Sequence, residues 1–379
     1  GQIIGGIRDI IEKETNIPMI CPRKEYAIES SKVSQRHLLE KCFPDANPRF
    51  KVFDIKDYSS KDGLRKDVYS WLDELGNQVA VKPDAPATGK GVGVWGDHFS
   101  TREELFDHFL FICDSGPVII EEKIEGEEFS LQFFSDGKHL VPTEAVRDYK
   151  RAFDGDRGIN TGGMGSYKAP GRKLPFMEQE DWEAGLKIGK KLFEELRPNG
   201  GNGLRGIPLY MAYICTAEGV KVLEINSRPG DPEIQNLLPT LEDDFVDVCF
   251  RILDGNLTRL NFAKKASVVT YAVPMTYGGY RKVFSGGSKV DLIKSRKLSE
   301  KYGDSVRIYP GSMELRGKET YALGSRTVCT VGIGDDIESA RNISLEAIIA
   351  IDGPLWNRWD IGSKEHMGKS VEHMKLLRG

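Results

Sequence analysis

The sequence predicts an α/β (α+β) protein of two or three domains, built around a polar-faced strand. Three observations predict it. The chain has 379 residues, more than one hydrophobic core usually organises. Runs of alternating apolar and polar residues, the mark of half-buried strands, take turns along the chain with stretches of helical periodicity. Two glycine-rich stretches, 83–91 and 155–165, fall between such segments, where ordered loops usually serve function.

Bulk composition narrows the function classes. A content of 39% hydrophobic and 29% charged residues is that of a globular protein. The net charge of −4 gives no general attraction to nucleic acid or an anionic membrane, so a phosphate-bearing ligand must be held by local cations. No apolar run approaches the roughly 20 residues that span a bilayer, and no signal peptide is visible. The six cysteines are scattered without a CxxC pair, and most lie in apolar runs, which predicts reduced core thiols and a cytoplasmic location. The six histidines form no metal-ligand spacing.

In chain order, Ile3, Ile4, Ile7, Ile10 and Ile11 predict an amphipathic helix near the start, and 18–22 reads as a short buried strand. Ser30 or Ser31 caps a helix running to about Cys42. A helix over 64–75 and a strand over 78–82, ending in Lys82, lead into the first glycine-rich loop. Ser100 or Thr101 caps the next helix, and 117–130 is strand, turn, strand. A long helix follows over 178–196, then a strand over 207–216 that hairpins through Glu218-Gly219, then a helix over 242–253. Residues 264–379 read as a separate module with strands near 267–274, 306–309 and 327–333 and a helix over 336–351.

The second strand of that hairpin, 220–226, carries the chemistry. Glu224 and Asn226 stand two residues apart, so they share a face, and their hard oxygens suit Mg²⁺ that also holds phosphates. Arg228 follows in phase, a planar cation for phosphate or carboxylate, and Asp231 and Glu233 add acids after Pro229-Gly230. Alone, this pattern also fits an edge strand with a solvated face. In the first glycine-rich stretch, Gly91, Gly93 and Gly96 match G-x-G-x-x-G without the strand and helix that a dinucleotide site needs. Gly91 after Lys90 defeats a P-loop. What remains is a hairpin whose backbone N–H groups and Lys90 close over phosphates, with Lys82 behind it, or else a plain surface hairpin. Glu128 can accept from ribose hydroxyls or be part of a charged hairpin tip. The second stretch, with five glycines between Gly155 and Gly165, reads as a long ordered loop. Lys150 and its arginines and acids can hold a small zwitterionic or phosphorylated substrate.

Taken together, Asp154-Gly-Asp156 with Asn160-Thr161-Gly162-Gly163-Met164-Gly165, Glu224-Ile-Asn226 followed by Gly230-Asp231-Pro232-Glu233, and the segment from Ala322 to Arg326 with Arg358-Trp-Asp360 resemble the ATP-grasp carboxylate–amine ligases. Among these they most resemble the glycinamide ribonucleotide synthetase (phosphoribosylamine–glycine ligase) family of purine biosynthesis. The resemblance runs from about Gly6 to the C-terminal module. It implies an ATP-grasp fold: an N-terminal remnant over 1–22, a body over 23–57 and 120–263, a lid over 58–119 and a C-terminal domain over 264–379. It implies ATP and Mg²⁺ or Mn²⁺ as cofactors, glycine and phosphoribosylamine as small-molecule partners, and a monomer or homodimer. Position by position it implies phosphate contacts from Lys82 and Lys90, adenine at Glu121, ribose at Glu128 and metal at Glu224 and Asn226. Lys150, Asp154, Asn160 to Gly165, Arg228 and Asp231 then line the substrates, with Lys90, Arg228 and Asp231 at the chemistry.

The chain departs from the family's usual pattern at Ala85-Pro86, Ala212, Ser227 and Pro229. The family begins with a nucleotide-fold domain of roughly ninety residues by usual domain size. The sequence reads as opening at the tail of that domain, so full activity is expected to need upstream residues. An ATP-grasp ligase for another amine, or a nucleotide-binding sensor without turnover, are the competing readings.

Overall fold

The computed structural model of the chain describes residues 1–86, 91–197, 201–281 and 287–379. Lys90 and the loop tip beside it, and Asn199-Gly200 of the expected turn before the long hairpin, lie outside the described residues.

The first sheet is antiparallel, in the order Phe50–Phe53, Val118–Glu122, Val79–Pro83, Gly93–Val94. Val79, Val81, Val118 and Ile120 fill one face against Leu64, Val68 and Leu72 of helix Lys61–Leu75 and Leu105, Phe106 and Phe109 of helix Arg102–Ile112. The helices start where their caps dictate: Ser60 accepts from the Gly63 N–H, and Thr101 and Glu104 form a reciprocal capping box. Strand alternation then turns Lys82 and Glu121 to the opposite face. This unit runs from Phe50 to Glu122, wider at both ends than 58–119, because Phe53 and Ile120 belong to its core.

The central sheet has the order Gly219–Asn226, Arg205–Thr216, Glu127–Asp136, Leu140–Pro142. Phe129, Leu131, Phe133, Met211, Tyr213, Val222 and Ile225 supply its core face, under helix Gln179–Leu196. Gly189 lets that helix close on the sheet, since a Cβ there would stand 2.4 Å from the Phe133 ring.

Three expectations are corrected. Residues 18–22 form no strand: the Met19 N–H donates to Glu12 Oε1 and Arg8 donates to the Cys21 carbonyl, so side chains satisfy this backbone in place of a neighbouring strand. The second glycine-rich stretch is no open loop. Arg151–Phe153 and Arg157–Asn160 form a hairpin, with Gly155 and Asp156 both at positive φ in its turn. Nor is 264–379 a separate module. Ala266–Pro274 pairs on one side with Val328–Gly334 and on the other with Gly165–Lys168 of the preceding region, and one continuous core joins Met164 and Tyr167 to Val268, Val331 and Ile337. Helix Lys364–Arg378 docks back as well, through Arg378 to Asp181 at 2.7 Å and His373 to Glu127 at 2.7 Å.

The shared sheet carries a close helix crossing that gives a stability prediction. A Cβ on Gly332 would stand 1.9 Å from the Ala340 carbonyl oxygen in helix Ile337–Ile349. Gly332→Ala is expected to cost about 2–3 kcal/mol through overpacking, read as a lower urea midpoint. An unchanged midpoint would mean the helix shifts freely. Among the described residues no helix is long and apolar enough to cross a membrane.

Candidate functional site

The face of the central sheet turned away from helix Gln179–Leu196 carries a polar row set by register. Gln132 pairs with Tyr210 and Tyr210 with Asn226; Ser130 pairs with Ala212 and Ala212 with Glu224. Directly opposed residues point the same way, so Glu128, Ser130, Gln132, Tyr210, Ala212, Glu224 and Asn226 share one face. A bulge makes this possible. Tyr213 pairs with Val222 and Ala212 with Glu224, which leaves Leu223 as an extra residue. Without it, the alternation that buries Val220 and Val222 would also bury Glu224. With it, Ile225 stays in the core and Glu224 and Asn226 face the cleft.

The bulge also frees two carbonyls, and a cation takes them. Arg36, on helix Lys32–Cys42, donates to the Val222 carbonyl at 3.0 Å and the Leu223 carbonyl at 2.7 Å. Its Nε reaches Glu121 Oε2 at 2.7 Å, and the other Glu121 oxygen is ion-paired with Lys82. Glu121 is 2% exposed. Burial raises its carboxyl, Arg36 and Lys82 draw it down further, and the net position is below the ordinary carboxylate range. Of the sequence-predicted set, the structure thus brings Lys82, Glu121, Glu224 and Asn226 to one cleft between the first sheet and the central sheet. Arg36, which sequence reasoning passed over, ties the two sheets together.

Two oxygen groups on this face are open to a metal. The Glu224 side chain is 41% exposed, with Lys32 at 3.6 Å. The Asn226 amide makes no hydrogen bond to a described residue. No group of three or more His, Cys, Asp or Glu among the described residues is placed to hold a metal. A two-oxygen donor set of this kind fits a hard divalent cation that takes its remaining ligands from water and phosphate.

The other predicted residues divide. Lys150 pairs with Glu128 at 2.7 Å at the end of the polar row. Burial raises the Glu128 carboxyl, but Lys150 outweighs it and the group sits low. Asp231 accepts from Arg326 at 2.8 Å and from the Tyr271 hydroxyl at 2.9 Å, and Arg326 also holds the Gly162 carbonyl at 2.6 Å. Thr161 bonds back to the Lys150 carbonyl, which fixes the return of the glycine-rich stretch. Asn160 sits on the hairpin opposite Arg151, and Arg228 reaches Glu29 at 3.1 Å. Three of them are engaged by the scaffold. Met164 is wholly buried in the core that also holds Tyr167 and Val268. Gly165 lies on the strand that pairs with Ala266–Pro274, where a Cβ would stand 2.2 Å from the Val269 carbonyl. Asp154 accepts from the Trp359 N–H at 2.8 Å, and Asp156 from Arg358 at 2.7 Å and His366 at 2.6 Å, so this turn anchors the C-terminal segment.

Arg326, Tyr271 and Arg36 were missed because each arrives from more than thirty residues away from its partner, and no spacing rule links them. Asp148 and Glu233 stood within the quoted stretches, but no spacing rule brings their carboxyls close enough to act on one another, as they do here.

A small antiparallel sheet whose strand lysine faces a bulged sheet bearing Glu and Asn defines the ATP-grasp class. Comparison with known proteins agrees. The ATP-grasp (A) domain of phosphoribosylglycinamide synthetase matches residues 50–234. The phosphoribosylamine–glycine ligase of Methanosarcina barkeri is 39% identical over 380 aligned residues, covering 100% of this chain and 82% of that one. Among solved structures, the phosphoribosylamine–glycine ligase of Thermotoga maritima shares the fold with a TM-score of 0.74 at 23% identity, over 90% of this chain and 81% of that one. The biotin carboxylase domain of Hydrogenobacter thermophilus 2-oxoglutarate carboxylase, in complex with MgADP, does so at 0.66 and 16% identity, over 99% and 76%. The chain belongs to the phosphoribosylamine–glycine ligase family.

Proposed function

We propose that the chain catalyses the ATP-dependent joining of glycine to 5-phosphoribosylamine, forming glycinamide ribonucleotide, ADP and phosphate in purine biosynthesis. The observation that carries this reading is similarity to such ligases along the whole chain. The cleft geometry supports it. In this reading the γ-phosphoryl group of ATP passes to the glycine carboxylate and ADP leaves. The amine then attacks the acyl carbon, loses a proton and expels phosphate. Such transfers depend on positioned cations more than on an acid–base pair.

Each residue's role is a proposal within that reading. The unit from Phe50 to Glu122 acts as the lid, and Lys82 meets the ATP phosphates from its inner face. Lys90, outside the described residues, is assigned the same task. Glu121, expected at the adenine, is held by Arg36 and Lys82, and we assign it to positioning Lys82. Glu128 meets the ribose. Glu224 and Asn226 hold Mg²⁺, or Mn²⁺, which share the preference for hard oxygens. When bound, that ion neutralises phosphate charge. Lys150, the backbone from Asn160 to Gly163, Arg228 and Asp231 line the glycine and phosphoribosylamine side, with Arg326 and Tyr271 orienting Asp231.

The test is ADP release. It is expected to require glycine and phosphoribosylamine together, with glycinamide ribonucleotide as the product identified by mass. ADP release indifferent to glycine would overturn the reading.

A further inference from the structure

Four carboxylates gather on the substrate side of the cleft, and among the described residues two of them are ion-paired. Glu128 has Lys150 at 2.7 Å, and Asp231 has Arg326 at 2.8 Å. Asp148 makes no side-chain hydrogen bond to a described residue, and its Oδ1 is shut off from solvent. Glu233, 2% exposed, accepts one hydrogen bond from another residue, the Tyr210 hydroxyl at 2.5 Å on Oε1. Glycines make room for both: a Cβ on Gly163 would stand 2.8 Å from Asp148 Oδ1, and one on Gly230 would stand 2.7 Å from Glu233 Oε2. Beside them lies a third unanswered group. Gln132 is 1% exposed, its Oε1 accepts from the Gly230 N–H at 3.0 Å, and that bond fixes its Nε2 as a donor with no partner. Buried polar groups without partners are costly, and a paired acid and amide left open at one place call for a ligand of opposite polarity.

We propose that Asp148 and Glu233, with Gln132 beside them, form a subsite for the primary ammonium group of a small substrate. A –NH₃⁺ group brings three donors and a full charge to two acids that lack both. Gln132 Nε2 donates to an oxygen on the same molecule. The set therefore favours a zwitterion over a simple carboxylate such as acetate, which two unpaired acids repel. This rests on the ligase reading, in which glycine and phosphoribosylamine each carry one primary amine.

The charges around the pair agree. Burial first, then Glu233, lift the Asp148 carboxyl well above its ordinary range; Glu128 adds to this, while Lys150 and Arg326 oppose it. Burial lifts Glu233, with Asp231 adding to it and Tyr210 and Lys150 opposing. An acid whose folded pKa is raised weakens the fold as pH climbs past its unfolded value. Asp148→Asn should therefore leave the thermal midpoint at neutral pH unchanged or higher. Ammonium binding needs the ionised acids, so the KM for that substrate should fall as pH rises through the lifted range.

The experiment uses the full chain with ATP and Mg²⁺, with the rate read as ADP release. Methylammonium should compete with glycine, and acetate should not. Asp148→Asn and Glu233→Gln should each raise the glycine KM on the order of ten- to a hundredfold, abolish methylammonium competition and leave ATP affinity alone. If the KM for phosphoribosylamine rises instead, the subsite holds that amine. If neither KM moves and methylammonium never competes, the proposal falls. If methylammonium binds through Asp148 but glycine and phosphoribosylamine release no ADP, the subsite stands and the ligase reading falls.

Discussion

The Glu224→Gln chain should lose on the order of a hundredfold or more in glycine-dependent ADP release while unfolding within a few degrees of the parent. Both halves follow from where the bulge puts this side chain. The Glu224 side chain is 41% exposed, and its ion pair with Lys32 is long at 3.6 Å, so little folding energy depends on its charge. Its backbone pairing with Ala212 is untouched by the substitution. The amide keeps the shape and loses the anionic oxygen that a hard cation takes first. The Mg²⁺ concentration for half-maximal rate should rise, and Asn226→Ala should show the same shift more weakly. Parent-like activity at ordinary Mg²⁺ would reduce Glu224 to a solvated strand residue.

That strand also shows what the sequence could and could not convey. The two-residue spacing of Glu224 and Asn226 was legible, because strand alternation is local. The adjacent apolar pair Val222-Leu223 was the sign that the alternation breaks, but its meaning depended on a partner strand. Caps were equally local, and Ser31, Thr101 and Asp336 begin helices where their side chains can accept from the first turn. Non-local pairings were out of reach. Ala266–Pro274 reads as a strand by composition, yet nothing in it names Gly165–Lys168 as its neighbour, so the C-terminal region looked detachable. The glycine-rich stretch misled for a related reason. Gly158 was counted as evidence against a strand, whereas it is the residue that lets Arg157–Asn160 pass Phe153, whose ring would lie 2.5 Å from a Cβ. Glu121 carried no sequence signal for its two cations, since Arg36 and Lys82 come from a separate helix and the adjacent strand.

Lys82→Ala should weaken ATP binding roughly ten- to a hundredfold, the worth of about 1.5–3 kcal/mol for a charge-assisted contact, without unfolding the chain. The reason the fold survives is Arg36. Removing Lys82 leaves Glu121 bonded to the Arg36 guanidinium at 2.7 Å, so no buried carboxylate is abandoned. Val79, Val81 and the helices beneath them are unaffected, because Lys82 lies on the other face of its sheet. Removing Arg36 is a different matter. Arg36→Met would strip Glu121 of one cation and remove the guanidinium from the bulge carbonyls, leaving Lys82 at 3.5 Å as the donor to Leu223. Breaking a buried pair on one side typically costs about 3–5 kcal/mol, so this variant should fall in urea midpoint as well as in nucleotide affinity. The two substitutions therefore separate ligand binding from scaffolding within one buried triad. Calorimetric titration of ATP with urea unfolding of both variants reads the difference. Parent-like ATP affinity in Lys82→Ala would remove Lys82 from the nucleotide site, and a parent-like midpoint in Arg36→Met would show that the bulge holds without its guanidinium.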